Sequence, residues 1–283
     1  MAFFKDSHAY STSISTVLIL SLFTAATQLV CHHRLGAEAA SMQVMVPAYF
    51  NPTGNAAAWA ALNSAASSLP NRVVAIANPS NGPSTAQQSD YVAAISSLHS
   101  ATGRVVGYVY SGYGNRALAS VKADIDSWYA FYSIDGIFVD EVANTDGKQS
   151  YYQQLYQYIK SKNSSSLVVN NPGTSTLSSY LFYNGTRVAD VICVFESSGA
   201  AALEWTTQSW TSSYARSNFL ALAYNTSDVD VEDFDYGDVI DHAYQQRAGW
   251  VYVTSDTLPN PWDTVPSYFS NEIEYIAEDN YLP

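Results

Sequence analysis

The chain of 283 residues is long enough to bury one large core, and barrels of this size commonly form a single domain. Charged residues make up only 13% of it, aromatic residues 14%, and the formal net charge is −13. This charge argues against a nucleic-acid partner, whose phosphates would be repelled. It suits a neutral or cationic ligand, but it also simply keeps a secreted protein soluble, which is the preferred interpretation.

The first 40 residues differ in composition from the rest. Lys5 precedes an apolar run at positions 14–30, and small residues stand at 25–26 and 37–40. This order is typical of a secretory signal peptide, with an uncleaved anchor as the alternative. We therefore predict a signal peptide or signal anchor at 1–40, one domain at 41–283, and a secreted or cell-surface protein without other membrane segments.

Glycosylation motifs and cysteines also bear on the compartment. Sequons at Asn163, Asn184 and Asn225 are compatible with a secreted glycoprotein. Cys31 falls in the leader, so removal of the leader leaves Cys193 alone and no intramolecular disulfide is expected.

After position 41, short apolar runs alternate with longer amphipathic ones. The predicted strands are Val44–Phe50, Arg72–Asn78, Arg104–Tyr110, Ile134–Asp140, Leu167–Asn171, Asp190–Glu196, Phe219–Tyr224 and Trp250–Thr254. The predicted helices are Ala56–Ser67, Thr85–Ser100, Ala117–Phe131, Lys148–Lys162, Ala201–Arg216, Val231–Gln246 and Pro266–Glu278, with a shorter one at Leu177–Tyr183. Thr85 or Ser84 is expected to cap the second helix. Eight βα units predict an α/β protein, a single (β/α)8 barrel, with an open doubly wound sheet as the alternative.

Carboxylates stand at the ends of two of these strands. The run Ile134–Val142 ends in Asp140 and Glu141, and the run Ala189–Glu196 ends in Glu196. Ionised groups are costly inside a buried strand, so we expect these acids at its solvent-facing end, where barrels form their clefts. Two acids on different strands suggest a glycoside hydrolase site, which needs a proton donor and a nucleophile or base.

Polar and aromatic residues collect on the same rim. Amides can bind sugar hydroxyl groups, and aromatic rings can stack on the apolar faces of pyranoses. We therefore expect substrate binding by Tyr49, Asn78, Tyr108, Tyr110, Tyr113, Asn171, Tyr224 and Thr254.

Several segments in order resemble the spherulation-specific family 4 proteins, also classified as glycoside hydrolase family 135. They are VPAYFNP (46–52), VVAIANPSNGP (73–83), RVVGYVYSGYGNR (104–116), DGIFVDEV (135–142), VVNNPG (168–173), DVICVFE (190–196) and WVYVTSDTLPNPWDTVPSYF (250–269). The resemblance implies a (β/α)8 fold. In the characterised fungal members it implies endo-hydrolysis of α-1,4-linked N-acetylgalactosamine in galactosaminogalactan.

The family's three functional acids fall on Asp140, Glu141 and Glu196. Tyr110 and Tyr224 stand where many relatives are expected to have His, and a phenol cannot supply a cation near neutral pH. A chitinase-like DGxDxDxE strand is a poorer match, because Phe138 and Val142 stand where acids are required.

We expect Glu196 to work with one member of the adjacent pair, preferably Asp140, while Glu141 tunes its neighbour or contacts a sugar hydroxyl. Retention or inversion would follow from the carboxyl separation. The alternative function is a non-catalytic carbohydrate-binding wall or matrix protein on the same fold. We expect a monomer, and we expect no cofactor. We also expect no metal, because the histidines show no metal-ligand spacing and the acidic run 228–241 lacks the form of a calcium loop.

Overall fold

The computed structural model of the protein describes residues 41–228 and 234–282, and the predicted leader at 1–40 lies outside them. Eight parallel strands pair in chain order, and the last pairs with the first to close a barrel. They are β1 Gln43–Ala48, β2 Val73–Ala77, β3 Arg104–Tyr110, β4 Gly136–Asp140, β5 Leu167–Asn170, β6 Val191–Ser198, β7 Phe219–Tyr224 and β8 Trp250–Val253. The predicted (β/α)8 architecture is confirmed, and the sheet is closed rather than open.

Seven α-helices surround the barrel in the described residues. They are α1 Ala56–Ser68, α2 Ser89–Ser100, α3 Leu118–Phe131, α4 Gln149–Lys162, α5 Gly199–Glu204, α6 Tyr236–Gln245 and α7 Phe269–Ala277. None of the described helices is long and apolar enough to cross a membrane. Part of the predicted segment Val231–Gln246 lies outside the described residues.

Two crossovers differ from the prediction. The helix expected at Ala201–Arg216 ends at Glu204 and continues as 3₁₀ turns at Ser209–Ser213 and Arg216–Asn218, since Trp205 already adopts an extended conformation. The crossover from β5 to β6 contains a 3₁₀ turn at Ser178–Tyr180 instead of the helix expected there. A hairpin of Phe182–Tyr183 and Thr186–Arg187 follows it.

The strands form because both of their faces are covered. In β2 every residue is buried, as expected for a parallel strand between a barrel interior and surrounding helices. On β3, Gly107 leaves room for the indole of Trp128, which would lie within 2.4 Å of a Cβ at that position. The indole Nε1 also donates to Tyr108 O at 2.8 Å, which ties α3 to its strand.

Helix ends agree only partly with the predicted caps. The cap expected from Thr85 or Ser84 is wrong, because α2 begins at Ser89 and no side chain caps it. Asp235 caps α6 by accepting from the backbone N of Gly237 at 2.7 Å, and Asp238 Oδ2 accepts from the backbone N of Asp235 at 3.1 Å. These acids at the start of α6 also complement the helix dipole.

Glu272 is a fully buried acid on α7, packed beneath β8. Its Oε1 accepts from the backbone N of Val253 at 3.1 Å, and its Oε2 has no hydrogen-bond partner among the described residues. Burial raises the pKa of Glu272 from an ordinary 4.5 to about 8. The side chain therefore carries a proton at neutral pH.

Replacing Glu272 with Gln should stabilise the protein increasingly as the pH rises. Between pH 4.5 and about 8 the native side chain keeps a proton that the unfolded chain releases, so the wild-type free energy of unfolding falls as pH rises through this window. A neutral Gln avoids that loss. Urea unfolding should show that the difference in the free energy of unfolding between variant and wild type grows by on the order of a few kcal/mol from about pH 5 to about pH 8.5.

Glu274, exposed on the same helix, is the matched control. Its replacement by Gln should give a difference from wild type that changes little over the same range. A pH-independent effect of Glu272→Gln would mean that the native Glu272 is not protonated.

Candidate active site

Two acids predicted from strand ends lie together at the carboxyl end of the barrel. Asp140 is the last residue of β4, and Glu196 lies near the end of β6. Asn171 follows β5, the strand between them, and its Nδ2 donates to Asp140 Oδ1 at 2.9 Å and to Glu196 Oε2 at 2.7 Å. The two oxygens that share this nitrogen are therefore at most about 5.6 Å apart, the sum of those distances.

A β-bulge in β6 brings Glu196 to the inner face of the barrel. Successive residues of a strand face opposite sides, so Cys193 and Glu196, three positions apart, would face opposite ways in a regular strand. The pairing of β6 with β7 shifts between Cys193 and Phe195, and such an extra residue resets the alternation. The side chains of Cys193 and Glu196 then both face the barrel interior. Both contribute, together with burial, to the raised pKa of Tyr49, as expected for groups that lie near that phenol.

The loop after β5 holds Asn171 in the orientation that the bridge requires. Its Oδ1 accepts from the backbone N of Gly173 at 2.8 Å, which directs Nδ2 toward the acids. Gly173 has φ +65°, a left-handed backbone conformation that glycine adopts without steric cost. A Cβ at this position would lie 3.5 Å from Glu196 Oε2. The backbone N of Glu196 also donates to Gly173 O at 3.1 Å, so this loop positions both the amide and one acid.

Two aromatic side chains donate hydrogen bonds to the two acids. Tyr108 Oη donates to Asp140 Oδ2 at 2.7 Å, and its ring meets that of Tyr49 edge to face with centroids 5.5 Å apart. The side chain of Trp262 donates to Glu196, and its backbone O accepts from the backbone N of Tyr49 at 3.1 Å. Side chains on or after β1, β3 and β8 thus enclose the pair.

Burial raises the pKa of both acids, and their hydrogen bonds oppose the rise. For Asp140, burial acts against three donors, which are a phenol, an amide and the backbone N of Glu141. For Glu196, burial and the charge of Asp140 raise the pKa against an amide and an indole donor. Asp140 has more donors, so it loses its proton first, and its charge then holds the proton on Glu196.

Glu141, the third predicted acid, leaves the strand in a left-handed conformation with φ +51°. Because β4 ends at Asp140, the alternation that would send adjacent acids to opposite faces stops there. The backbone O of Glu141 accepts from the backbone N of Tyr113 and from Ser111 Oγ, both at 2.7 Å. Its carboxylate lies beside Gly112, in the loop after β3. Such strained residues cluster at functional sites.

The loop after β3 presents Tyr113 at the rim. The Tyr113 residue is 59% exposed and has φ +55°. Lys148 Nζ donates to Gly114 O and to Asn115 Oδ1, both at 2.9 Å, which anchors the loop to the start of α4. An exposed ring on a fixed loop beside the acids is suited to stacking on a sugar face.

Tyr110 and Tyr224, the two predicted rim phenols that replace expected histidines, pack against other side chains. The guanidinium of Arg116 lies 4.1 Å from the centroid of the Tyr110 ring. The Tyr224 ring meets Trp262 edge to face with centroids 6.2 Å apart. Tyr224 therefore borders the indole that donates to Glu196, whereas Tyr110 is paired with a cation at the neighbouring loop.

Asn78 and Thr254 hold loops in place. Asn78 Oδ1 accepts from the backbone N of Gly82 at 2.9 Å. Thr254 has no exposed surface, and its Oγ1 accepts from the backbone N of Asp256 at 3.2 Å. The structure thus gives both side chains partners in their own loops.

Sequence reasoning missed Trp262 and Gly173 as members of the site. Trp262 follows the end of β8 by nine residues, so reading strand ends could not find it. The signal available was its place in a family-like segment and the rarity of tryptophan in a loop. Gly173 carries no side chain, and its role depends on a backbone angle that sequence does not display.

The sequence model of Spherulation-specific family 4 matches residues 43–276 of this chain. The chain belongs to this family. It is also 30% identical over 255 residues to Spherulin-4 of Physarum polycephalum, a match that covers 86% of this chain and 73% of that protein.

Solved structures share the barrel of this spherulation-specific family 4 member. Sph3 of Aspergillus clavatus, in complex with GalNAc, has a TM-score of 0.68 at 23% identity, covering 84% of this chain and 98% of that one. A cyclic α-maltosyl-(1→6)-maltose hydrolase from Arthrobacter globiformis has a TM-score of 0.55 at 11% identity, covering 86% and 83%. At these identities the likeness establishes the fold.

Replacing Asn171 with Leu should raise the pKa values of Asp140 and Glu196 together, because both carboxylates lose a donor while burial stays. Carbon-13 NMR titration of the side-chain carboxyls measures this. Asn78→Leu is the matched control, since that amide also follows a barrel strand but binds Gly82 instead. If Asn171→Leu leaves both titrations unchanged, the amide does not control the protonation of the pair.

Proposed function

We propose that this protein is a secreted, endo-acting glycoside hydrolase that cleaves extracellular polysaccharide containing α-1,4-linked N-acetylgalactosamine. The observation that carries the proposal is the pair of buried acids bridged by Asn171, because glycoside hydrolysis needs one proton donor and one nucleophile or base. Family membership and the GalNAc bound to Sph3 of Aspergillus clavatus support the choice of sugar.

The separation of the two acids favours retention of anomeric configuration. Retaining enzymes hold their carboxyl groups about 5–5.5 Å apart, whereas inverting enzymes leave about 6.5–9.5 Å for a water molecule. Asp140 and Glu196 share one nitrogen, so their facing oxygens lie within about 5.6 Å of each other, which suits the closer, retaining arrangement.

In the proposed mechanism the ionised Asp140 attacks the anomeric carbon while the glycosidic C–O bond breaks. Glu196 gives its proton to the departing oxygen, which leaves as a hydroxyl group. The Glu196 carboxylate then takes a proton from water, whose oxygen attacks the same carbon and releases Asp140. The roles follow from the donors, since Asp140 loses its proton more readily and its charge keeps Glu196 protonated.

A substrate's own acetamide cannot replace Asp140 on this polymer. In an α-linked 2-acetamido sugar of galacto configuration, the acetamide is cis to the leaving group and cannot reach the anomeric carbon from behind. The attack must therefore come from a protein carboxylate or an activated water.

The predicted substrate contacts divide into three groups by the way in which they relate to the acids. Tyr49, Tyr108 and Asn171 lie against the pair and would contact the sugar at the cleaved bond. The exposed Tyr113 would stack on a unit farther along the chain, and Tyr224 would act through Trp262. Tyr110, Asn78 and Thr254 would shape the rim through the loops they hold.

Secretion is proposed from the leader and the glycosylation motifs. Asn163, Asn184 and Asn225 are all exposed in the structure, so each is open to a glycan. Cys193 is a buried free thiol among the described residues.

Asp140→Asn and Glu196→Gln should each lower hydrolysis by about a thousandfold or more, because each removes a group that acts on the breaking bond. Release of reducing ends from purified polymer measures activity, and sedimentation with insoluble polymer measures binding. Binding should survive Glu196→Gln, whose shape is nearly unchanged. Glu278→Gln, at an exposed site after α7, should match wild type in both.

If wild-type protein sediments with the polymer yet releases no reducing ends, the alternative of a non-catalytic carbohydrate-binding protein replaces the proposal. Hydrolysis that persists in both variants would show that other groups do the chemistry.

Proton NMR of the first product should show the α-anomer before mutarotation, as a retaining mechanism requires. An initial β-anomer would mean that water attacks directly and that Asp140 acts as a base.

A further inference from the structure

A cavity of about 530 Å³ adjoins Glu196. It lies between the loop after β5, the end of β6 and α5, and Gly173, Phe195, Glu196, Glu204 and Trp205 are among its walls. Its volume is within the range of ligand pockets, about 300–1,000 Å³. The cavity is thus large enough for a sugar unit adjoining the acids.

Its position relative to the two acids indicates which side of the cleaved bond it serves. Glu196 lines the cavity, whereas Asp140 does not. The proton donor of a retaining enzyme faces the departing oxygen, while the nucleophile faces the opposite side of the anomeric carbon. A cavity reached past Glu196 alone therefore lies on the leaving-group side.

The far wall is built from the end of α5 and is held in place. The Trp205 ring packs on Phe195 with centroids 5.0 Å apart and planes tilted by 35°. His242 Nε2, on α6, donates to Trp205 O at 2.8 Å, and Gln246 Oε1 accepts from the backbone N of Thr207 at 2.9 Å. These contacts present a fixed, half-buried indole to the cavity.

The titratable side chains that line the cavity are both acids, and Glu204 supplies the negative charge, because Glu196 keeps its proton in the proposed mechanism. Glu196 and Glu204 contribute carboxyl groups, and no Lys, Arg or His is found among the described residues that line it. Glu204 is exposed, so its carboxylate is open to a ligand. This lining attracts a cation and repels uronic or sulfated sugars.

We infer that this cavity is a leaving-group subsite that selects an amino sugar with a free, protonated amine, stacked on Trp205 and paired with Glu204. The inference rests on the proposed function and refines its substrate. The enzyme would then cut preferentially where a de-N-acetylated unit follows the cleaved bond, so that this unit becomes the non-reducing end of the released fragment.

The test uses two α-1,4-linked galactosamine oligosaccharides, one fully N-acetylated and one partly de-N-acetylated. For wild-type protein we expect fragments of the second substrate to carry free amines at the new non-reducing end, as read by tandem mass spectrometry. Glu204→Gln should lower the ratio of kcat/KM for the amine-bearing over the acetylated substrate about two- to fivefold at low salt, as for an exposed ion pair. The effect should shrink at high salt.

Glu274→Gln is the matched control, because it removes one exposed acid on α7 and should leave that ratio unchanged. The inference is overturned if Glu204→Gln keeps the wild-type ratio, or if free amines never occur at the new non-reducing end.

A different result separates this inference from the proposed function. If wild-type protein cleaves neither oligosaccharide, the proposed hydrolase fails, and calorimetric binding of the same two compounds tests the cavity alone. The subsite is supported if Glu204→Gln binds the amine-bearing compound more weakly than wild type does and binds the acetylated compound equally well. It is overturned if wild type and Glu204→Gln bind the amine-bearing compound with equal affinity.

Discussion

Two carboxyl groups share one amide nitrogen at the mouth of the barrel, where burial makes it costly to ionise both. Asn171 gives one N–H to each and adds no charge. An arginine or lysine in its place would favour ionisation of both acids. An apolar residue would remove one donor from each acid and raise both pKa values. A neutral donor between them is the arrangement that allows one charge and one proton to coexist.

The barrel topology explains why an asparagine can occupy that place. Because strands pair in chain order, β5 always lies between β4 and β6, and the residue after its end lies between the residues that end its neighbours. Asn171 is held there by the backbone on both sides, since its N donates to Val139 O at 2.8 Å and its O accepts from the backbone N of Val142 at 2.9 Å. The positive φ of Gly173 then turns the chain back so that its N–H meets the amide oxygen.

Much of this arrangement could be predicted from the sequence, because strands buried on both faces are continuous apolar runs and their polar ends are visible. The end of β4 at Asp140 and the order of eight units were identifiable in this way. Strand β6 was identified as well, although it continues to Ser198, two residues past its predicted end at Glu196. The bulge was not, since nothing in VICVF distinguishes a regular strand from one that gains a residue between Cys193 and Phe195. That extra residue decides whether Glu196 faces the interior or the helices.

The same limit applies where long-range contacts override local pattern. The segment after Glu204 has helical spacing, yet Trp205 turns away to pack on Phe195 and to bind His242 of α6. Trp262 reaches Glu196 from a loop after β8, and only the folded barrel brings these residues together. Local sequence therefore predicts the elements and their ends, while partners distant in the chain determine the details of the site.

The donors around the two acids also determine which groups can respond to pH. Burial raises the pKa of Tyr108 and of Tyr49 far above the ordinary phenol value, so both stay neutral wherever the fold is stable. The amide of Asn171 and the indole of Trp262 do not titrate in water. Where relatives are expected to carry histidines, this chain has Tyr110 and Tyr224, which cannot gain a proton near neutral pH. Among the described side chains that hydrogen-bond to the pair, protonation changes are therefore confined to Asp140 and Glu196 themselves.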